Sequence, residues 1–253
     1  MSGSLPLSLC VITRDAAALI ADCLASAPFV GDIVVVDSGS RDDTVEIARR
    51  RGARVIERPW MGFGAQKQFA VDAAMHDWVL CLDADERLTP ELAASIAREV
   101  SAPRAAAYAL ARRNRFLGRW LAHGEGYPDW NVRLFDRRRA RWSEDPVHER
   151  VVAQGPLARC AGDLLHASAE SLADYLDKQN RYTTLQAQAM HARGERAGVG
   201  RLVLSPLARF LRFYVIRLGF LDGVAGLVHI AIGCQNSFLK YAKLRALEAE
   251  SRR

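Results

Sequence analysis

The sequence predicts an α/β fold: a parallel sheet covered by helices on both faces, followed by a helical C-terminal extension. Three observations predict it. Over roughly the first hundred residues, apolar runs of strand length alternate with segments of helical spacing. Those runs are continuously apolar instead of alternating, as expected of strands buried on both faces. From about residue 168 onward the pattern is helical.

The elements follow in order. "LSLCVIT" (7–13) is a strand that runs into Thr13, Arg14 and Asp15, and "AALIADCLASA" (17–27) has helical spacing. "DIVVVDSGS" (32–40) is a second strand ending in Asp37. "DDTVEIARRRG" (42–52) reads as a helix with an acidic start and Gly52 as its stop. "ARVIERP" (53–59) is a third strand, "GAQKQFAVDAAM" (64–75) a third helix and "WVLCLDA" (78–84) a fourth strand. "TPELAASIAREV" (89–100) opens with Thr89 as N-cap and Pro90 at the first helical position. From 104 to 165 the pattern changes. "AAYALARRNRFLG" reads as strand and turn, "YPDWNVRLFDRRRARW" alternates like a β-ribbon, and "EDPVHERVV" follows.

At 253 residues, half of them hydrophobic, the chain suits one large domain or one domain with a helical appendage. The formal charge of +6 suggests an anionic partner without choosing among nucleotide, nucleic acid and acidic lipid. The basic run "RRRAR" (137–141) reads equally well as a solvated loop. Cys10, Cys23, Cys81, Cys160 and Cys234 are scattered, odd in number and form no CxxC pair. That argues against a disulfide framework or zinc site and fits a reducing cytoplasm. The first fifteen residues lack the basic and long apolar regions of a signal peptide.

Parallel sheets take their ligands beyond the carboxyl ends of the strands. Acids collect there: Asp15, Asp37, and above all Asp83, Asp85 and Glu86 in "WVLCLDADERLT". The i, i+2 spacing lets Asp83 and Asp85 address one ligand, and hard divalent cations take carboxylate and phosphate oxygens. For an isolated DxD, a turn cap with its neighbours in solvent is the better explanation. The buried strand before it and Asp37 at another strand end favour a metal–diphosphate site. Three chemistries use such acids. A dinucleotide-dependent dehydrogenase would use Asp37 but needs G-x-G-x-x-G after the first strand, where "TRDAAAL" has no glycine. An aspartyl phosphatase carries its DxD near the start of its domain, whereas two strand–helix units precede this one. The third is glycosyl transfer from a nucleotide sugar, in which a metal neutralises the departing diphosphate.

"VITRD", "VVVDSGSRDDTVEIA", "GFGAQKQFAVDAA" and "WVLCLDADERLTPEL" together resemble family 2 glycosyltransferases of the GT-A fold, in the family's order. "EGYPDWNVRLFDRRRARWSEDPVHERV" and "LGFLDGVAGLVHIAIGCQNSFLKYAKL" resemble a narrower group, the bacterial lipopolysaccharide inner-core β-glucosyltransferases. The resemblance implies a Rossmann-like mixed sheet: a GT-A catalytic domain over 1–165, split into nucleotide-sugar binding (1–103) and acceptor side (104–165). A helical, membrane-interfacial extension would follow over 166–253.

It also implies roles. Thr13, Arg14, Asp15, Asp37, Ser38, Gly39, Lys67, Asp83 and Ala84 would bind the nucleotide sugar. Asp85 would hold Mg²⁺ or Mn²⁺, with His148 completing the metal shell or positioning the diphosphate, and Glu86 is either a third partner or the first solvated residue beyond the site. Inverting transfer needs a general base. The candidates are Glu144, Asp145 and Glu149; Glu149 leads because of "VHE", with Asp145 second. Trp130 and Arg133, with Asp129, would shape the acceptor cleft. The absence of Q-x-x-R-W argues for transfer of a single sugar. The implied partners are a UDP-sugar, with glucose the implied sugar, a lipid-linked saccharide such as an inner-core heptose, and a membrane surface; nucleic acid is not among them. Another glycolipid or protein acceptor, or a non-catalytic sugar-nucleotide binder, are the alternatives.

The apolar stretch "FYVIRLGFLDGVAGLVHIAIGC" contains Arg217, Asp222 and His229, which are costly in a bilayer centre. An interfacial helix pair is therefore expected, with Arg201, Arg209, Arg212 and Arg217 on one side and Lys240, Lys243 and Arg245 on the other meeting lipid head groups. The competing reading is a helical bundle packed on the catalytic domain. The expected location is cytoplasmic, peripheral on the inner face of the cytoplasmic membrane.

Overall fold

The structure, a computed structural model, describes residues 4–143, 149–167 and 171–251. The chain forms two compact units: Met1–Arg113 with Asp129–Ala167, and Asn114–Pro128 with Ser168–Arg253. The loop at 114–128, counted with the acceptor side in the sequence reading, thus belongs to the helical unit.

The first unit begins with β1 (Leu5–Thr13), α1 (Ile20–Ala25), β2 (Val30–Asp37), α2 (Thr44–Arg50), β3 (Arg54–Glu57), α3 (Phe63–Asp72) and β4 (Trp78–Asp83). β5 (Glu86–Leu88), α4 (Pro90–Ser101), β6 (Ala107–Phe116) and the two-residue β7 (Arg119–Trp120) follow. β8 (Asp129–Asp136), β9 (Ala140–Trp142), β10 (Val151–Ala153) and β11 (Leu157–His166) complete the strands. The end of β6 and β7 lie in the second unit.

One sheet runs in the order β3-β2-β1-β4-β8-β6-β11-β5. Its first four strands pair in parallel. Beyond β4 the direction reverses: β8 is antiparallel to both β4 and β6, and β11 to β5. The parallel pairing expected over the first hundred residues is found in β1–β4, and the ribbon-like strands that follow extend it into the mixed sheet that the family resemblance implied. A run buried on both faces looks the same whichever way its neighbour points.

Local chemistry explains the elements. Thr89 caps α4, its Oγ1 accepting from the Leu92 amide at 3.3 Å. The helix expected over 17–27 starts only at Ile20. The amides of Ala16 and Ala17 donate instead to Thr44 Oγ1 (2.8 Å) and Asp42 Oδ2 (3.0 Å), which tie this loop to the start of α2.

Side chains alternate across the sheet into two cores. Leu7, Leu9 and Val11 of β1 join Leu80 and Leu82 of β4 beneath α1 and α4. Cys10 and Ile12 join Val79 and Cys81 against α3 and Trp142. Continuing that alternation turns Asp83 toward the α3 face.

The second unit holds α5 (Leu172–Ala192), α6 (Val199–Phe210) and α7 (Gly223–Glu250). A π-helical turn (Leu211–Ile216) and a 3₁₀ turn (Gly219–Asp222) join α6 to α7, and α7 packs on both α5 and α6. Among the described residues no single helix is long and apolar enough to cross a membrane; the arms Val199–Ile216 and Gly219–Glu250 are bent by 74°. The charges inside the apolar stretch have internal partners. Asp222 accepts from the amides of Ala122 (3.0 Å) and His123 (2.8 Å), and Arg217 donates to the Tyr127 carbonyl (3.1 Å). His229 is packed against Phe116, and burial, with Arg209 nearby, lowers its pKa. Four of the residues expected at head groups are also engaged internally. They are Arg217, Arg209 (to Glu125 and Ser237), Lys243 (to Asn180, Thr183 and Thr184) and Arg245 (to the Ala197 carbonyl).

Candidate active site

The site lies in the first unit, where β1, β2 and β4 end. At β2, Asp37 is buried and builds a turn. Its Oδ2 accepts from the amides of Gly39 (2.9 Å) and Ser40 (2.8 Å), and the Ser40 hydroxyl donates to Oδ1. Gly39 has φ +88°, a conformation that favours glycine, so this turn needs it. Ser38 donates its amide to the Thr13 carbonyl at 2.9 Å and accepts at Oγ from Gln66 Nε2 at 3.1 Å. Two buried acceptors flank this spot without a protein partner among the described residues: Thr13 Oγ1 and Gln66 Oε1. Unpartnered buried polar atoms are costly, and the donors a nucleoside offers, a base N–H or ribose hydroxyls, would satisfy them. Arg14 and Asp15 are exposed, and Asp15 accepts from the Arg41 amide at 2.7 Å.

At the end of β4 the carboxylates have sorted themselves. Asp83 lies 3.2 Å from Lys67 Nζ and accepts from Arg133 at 2.7 Å. Arg133 also donates to Glu86 at 3.0 Å, and the other Glu86 oxygen accepts from the Asp83 amide at 2.9 Å. Glu86 is 1% exposed. It is a buried partner of the site, not a solvated residue beyond it. Burial would raise the Asp83 pKa, but Arg133 and Lys67 outweigh that and hold it well below the usual carboxylate range. Burial dominates at Glu86 and raises its pKa despite Arg133. The same two acids outweigh burial at Arg133 and hold its guanidinium charged.

A β-bulge aims Arg133. In the β6–β8 ladder Tyr108 faces Leu134 and Ala109 faces Val132, so Arg133 is the extra residue. A bulge re-aims a side chain that regular pairing would direct elsewhere. Arg133, expected at the acceptor, instead lies buried between Asp83 and Glu86.

Lys67 is buried too, over the Trp142 ring (4.8 Å) and 3.4 Å from Glu149 Oε1. Gly64 makes room for this. A Cβ there would sit 2.6 Å from the Ser143 carbonyl and 3.5 Å from the Glu149 Cβ. Lys67, Asp83, Glu149 and Arg133 therefore form one cluster.

Asp85 stands apart. Its side chain is 28% exposed and, among the described residues, contacts His166 at 3.1 Å. Ala84 forms the turn between the two aspartates. The β5–β11 pairing sets Glu86 opposite His166 and so brings that histidine to Asp85. Among the described residues no group of three metal-ligating side chains exists. A carboxylate and an imidazole suit a cation that keeps waters and substrate phosphate oxygens as its other ligands. Charge points the same way. Lys67, Arg133 and Arg112 meet three carboxylates, Asp83, Glu86 and Glu149, and Asp85 adds a fourth beside His166, so the cluster offers a diphosphate no excess positive charge without an added cation. Trp130, 39% exposed, lies against Arg159. Asp145 and His148, with Glu144, lie outside the described residues.

The sequence reading missed Gln66 and His166. Gln66 was overshadowed by the charge of Lys67. Only strand pairing brings His166 to the site.

The family model "Glycosyl transferase family 2" matches residues 8–156, which contain all of these groups except His166 and Arg159. The chain belongs to glycosyl transferase family 2. An uncharacterized glycosyltransferase of Rickettsia typhi is 32% identical over 97% of this chain and 89% of its own. The lipopolysaccharide core biosynthesis glycosyltransferase LpsC of Rhizobium meliloti is 30% identical over 96% and 93%. Mannosyl-3-phosphoglycerate synthase of Rubrobacter xylanophilus, 16% identical, covers 75% of each chain with a TM-score of 0.50 and shares the fold. The transferase thus has the GT-A arrangement with a helical C-terminal region.

Proposed function

We propose that this family 2 transferase moves one sugar, glucose, from a UDP-sugar to a lipid-linked saccharide of the lipopolysaccharide inner core, such as a heptose, with inversion. The carboxylate sorting at the end of β4 carries the reading: Asp83 is locked by Lys67 and Arg133, whereas Asp85 lies against His166. The likeness to LpsC over nearly the whole chain supports the acceptor class.

The chain's own groups divide the work. Thr13, Gln66 and the Asp37–Ser38–Gly39 turn receive the nucleoside. Asp83, fixed from two sides, orients the ribose and donor sugar. Asp85 and His166 would hold Mg²⁺ or Mn²⁺, which when bound offsets the charge on the departing diphosphate. Glu149, held 3.4 Å from Lys67, takes the proton of the acceptor hydroxyl. The hydroxyl oxygen bonds to the anomeric carbon as the bond to the diphosphate breaks, and this single displacement inverts the centre.

UDP release from a panel of UDP-sugars, with Mn²⁺ and short-core lipopolysaccharide, tests this reading. Release only when donor and acceptor are both present is expected, and no release with any donor would favour a non-catalytic binder. Asp85→Ala is expected to lower turnover by about a hundredfold or more, the scale seen when one electrostatic group at a transition state is removed. It should also abolish the response of UDP affinity to Mn²⁺ in calorimetry. A metal response equal to the wild type's would remove Asp85 from the metal site.

The helical unit is proposed to lie on the membrane surface. Val199, Val203, Leu207, Leu211 and Val215 recur at every fourth residue and are all exposed, flanked by exposed Arg201 and Arg212. Such a row suits an interfacial helix. Mild detergent, or high salt, is expected to release the protein from membranes, and Leu207→Glu to weaken its retention. A requirement for full solubilisation would favour insertion across the bilayer.

A further inference from the structure

We propose that Arg159, stacked on Trp130, is an anion-reading residue of the acceptor site, so that the accepting saccharide carries a phosphate or carboxylate next to the sugar that is glycosylated. This deepens the transfer reading above and rests on it.

The two residues come from strands that flank β6, with Trp130 on β8 and Arg159 on β11. Trp130 is paired with Ala111 of β6, whose small side chain lets the guanidinium reach across. The Arg159 guanidinium lies 4.4 Å from the centre of the Trp130 ring. A guanidinium held over an aromatic face keeps N–H groups free for two-point recognition of phosphate or carboxylate.

Among the described residues, Arg159 differs from its sheet neighbours in lacking a counter-ion. Of the other arginines of β6, β8 and β11 in this unit, Arg112 pairs with Asp129 and Glu86, Arg113 with Asp163, and Arg133 with Asp83 and Glu86. Arg159 makes no ion pair among the described residues. It is exposed and, among the described residues, lies over the Trp130 ring, itself 39% exposed.

Register sets this pair beside the reaction centre. β4 and β8 pair from Trp78↔Asp136 to Leu80↔Leu134. Continued past Leu80 and across the Arg133 bulge, that register brings Trp130 level with Asp83. Both project from the same face. Val79 pairs with Phe135, Phe135 with Ala107, and Ala111 shares the face of Ala107 and pairs with Trp130. An aromatic ring on the face of the donor-site aspartate, beneath a cation that has no ion pair among the described residues, matches a sugar ring that bears an anion.

The test measures binding, so it needs no turnover. Short-core lipopolysaccharide oligosaccharide is titrated by calorimetry into the full chain with UDP and Mn²⁺ present. Three probes are used: untreated, dephosphorylated, and carboxyl-reduced. The wild type is expected to lose about tenfold to hundredfold in affinity for one treated probe, the scale of a charge-assisted hydrogen bond, and that probe identifies the anion. Arg159→Met is expected to bind the untreated probe as weakly as the wild type binds that treated one, and to ignore the treatment. Arg159→Lys should recover part of the difference. Equal wild-type affinity for all three probes, no wild-type binding of the untreated probe, or unchanged discrimination in Arg159→Met would overturn the proposal. UDP affinity, read in the same experiments, keeps the two readings separable. Its loss in the wild type would count against the nucleotide-sugar reading itself, whereas its retention confines a failure to the anion.

Discussion

Arg133→Met is expected to destabilise the catalytic unit by about 3–5 kcal/mol, the scale of removing one partner from a buried ion pair. The substitution keeps the volume of the side chain and removes the cation that Asp83 and Glu86 share. The buried Glu86 and the part-buried Asp83 would remain, with Lys67 3.2 Å from Asp83 and Arg112 3.7 Å from Glu86. The sign of the pH dependence follows. In the wild type the Asp83 pKa is lowered, so its contribution to stability is present above the ordinary carboxylate range and is lost as pH falls. Without Arg133 both acids shift upward, the folded chain binds more protons than the unfolded one, and stability falls as pH rises. The deficit of Arg133→Met should therefore be smaller at about pH 5 than at about pH 7.5 in thermal melts. A melting point equal to the wild type's at both values would show that the cluster does not hold the β4 end together. Arg133→Lys separates charge from shape, because lysine cannot bridge two carboxylates with a planar fork.

Glu149→Gln is expected to lower turnover by about 10²–10⁴-fold, the usual contribution of a positioned general base. UDP affinity should change little, because among the described residues Glu149 meets the nucleotide side through Lys67. The fold should survive, since the amide keeps the shape and its oxygen can still accept from Lys67. Turnover close to the wild type's would pass the role of base to another acid of the "EDPVHE" segment. Loss of UDP binding with retained turnover per bound donor would make Glu149 a positioning residue for Lys67.

Much of the first hundred residues was legible because its signals are local. Continuous apolar runs, the Thr89–Pro90 start of α4 and the Gly52 stop depend on neighbours in sequence, and each was found at or near its expected place. The acids at strand ends were legible for the same reason. The antiparallel half of the sheet was not, since strand direction depends on distant partners. Three features of the site depend on that half. The bulge turns Arg133 from the acceptor side into the Asp83–Glu86 pair. The β5–β11 pairing delivers His166 to Asp85. Burial of Glu86 settles what its sequence position left open.

In the helical unit, composition correctly marked an apolar stretch with costly charges. It could not show that Asp222, Arg217 and Arg209 find partners in 114–128, far away in sequence. Counting basic residues therefore overstated the charge available to lipid. The exposed fourth-residue row along α6 and the π-helical turn was hidden, because nothing in a sequence says which apolar residues stay uncovered.

The central claim is sugar transfer to a membrane glycolipid, and mass spectrometry of that glycolipid tests it most directly. Lipopolysaccharide core is compared from cells with the protein, without it, and with the Asp85→Ala form in its place. The expected result is a core shorter by at least one hexose in the last two and complete in the first. A core identical in all three would contradict the assigned acceptor.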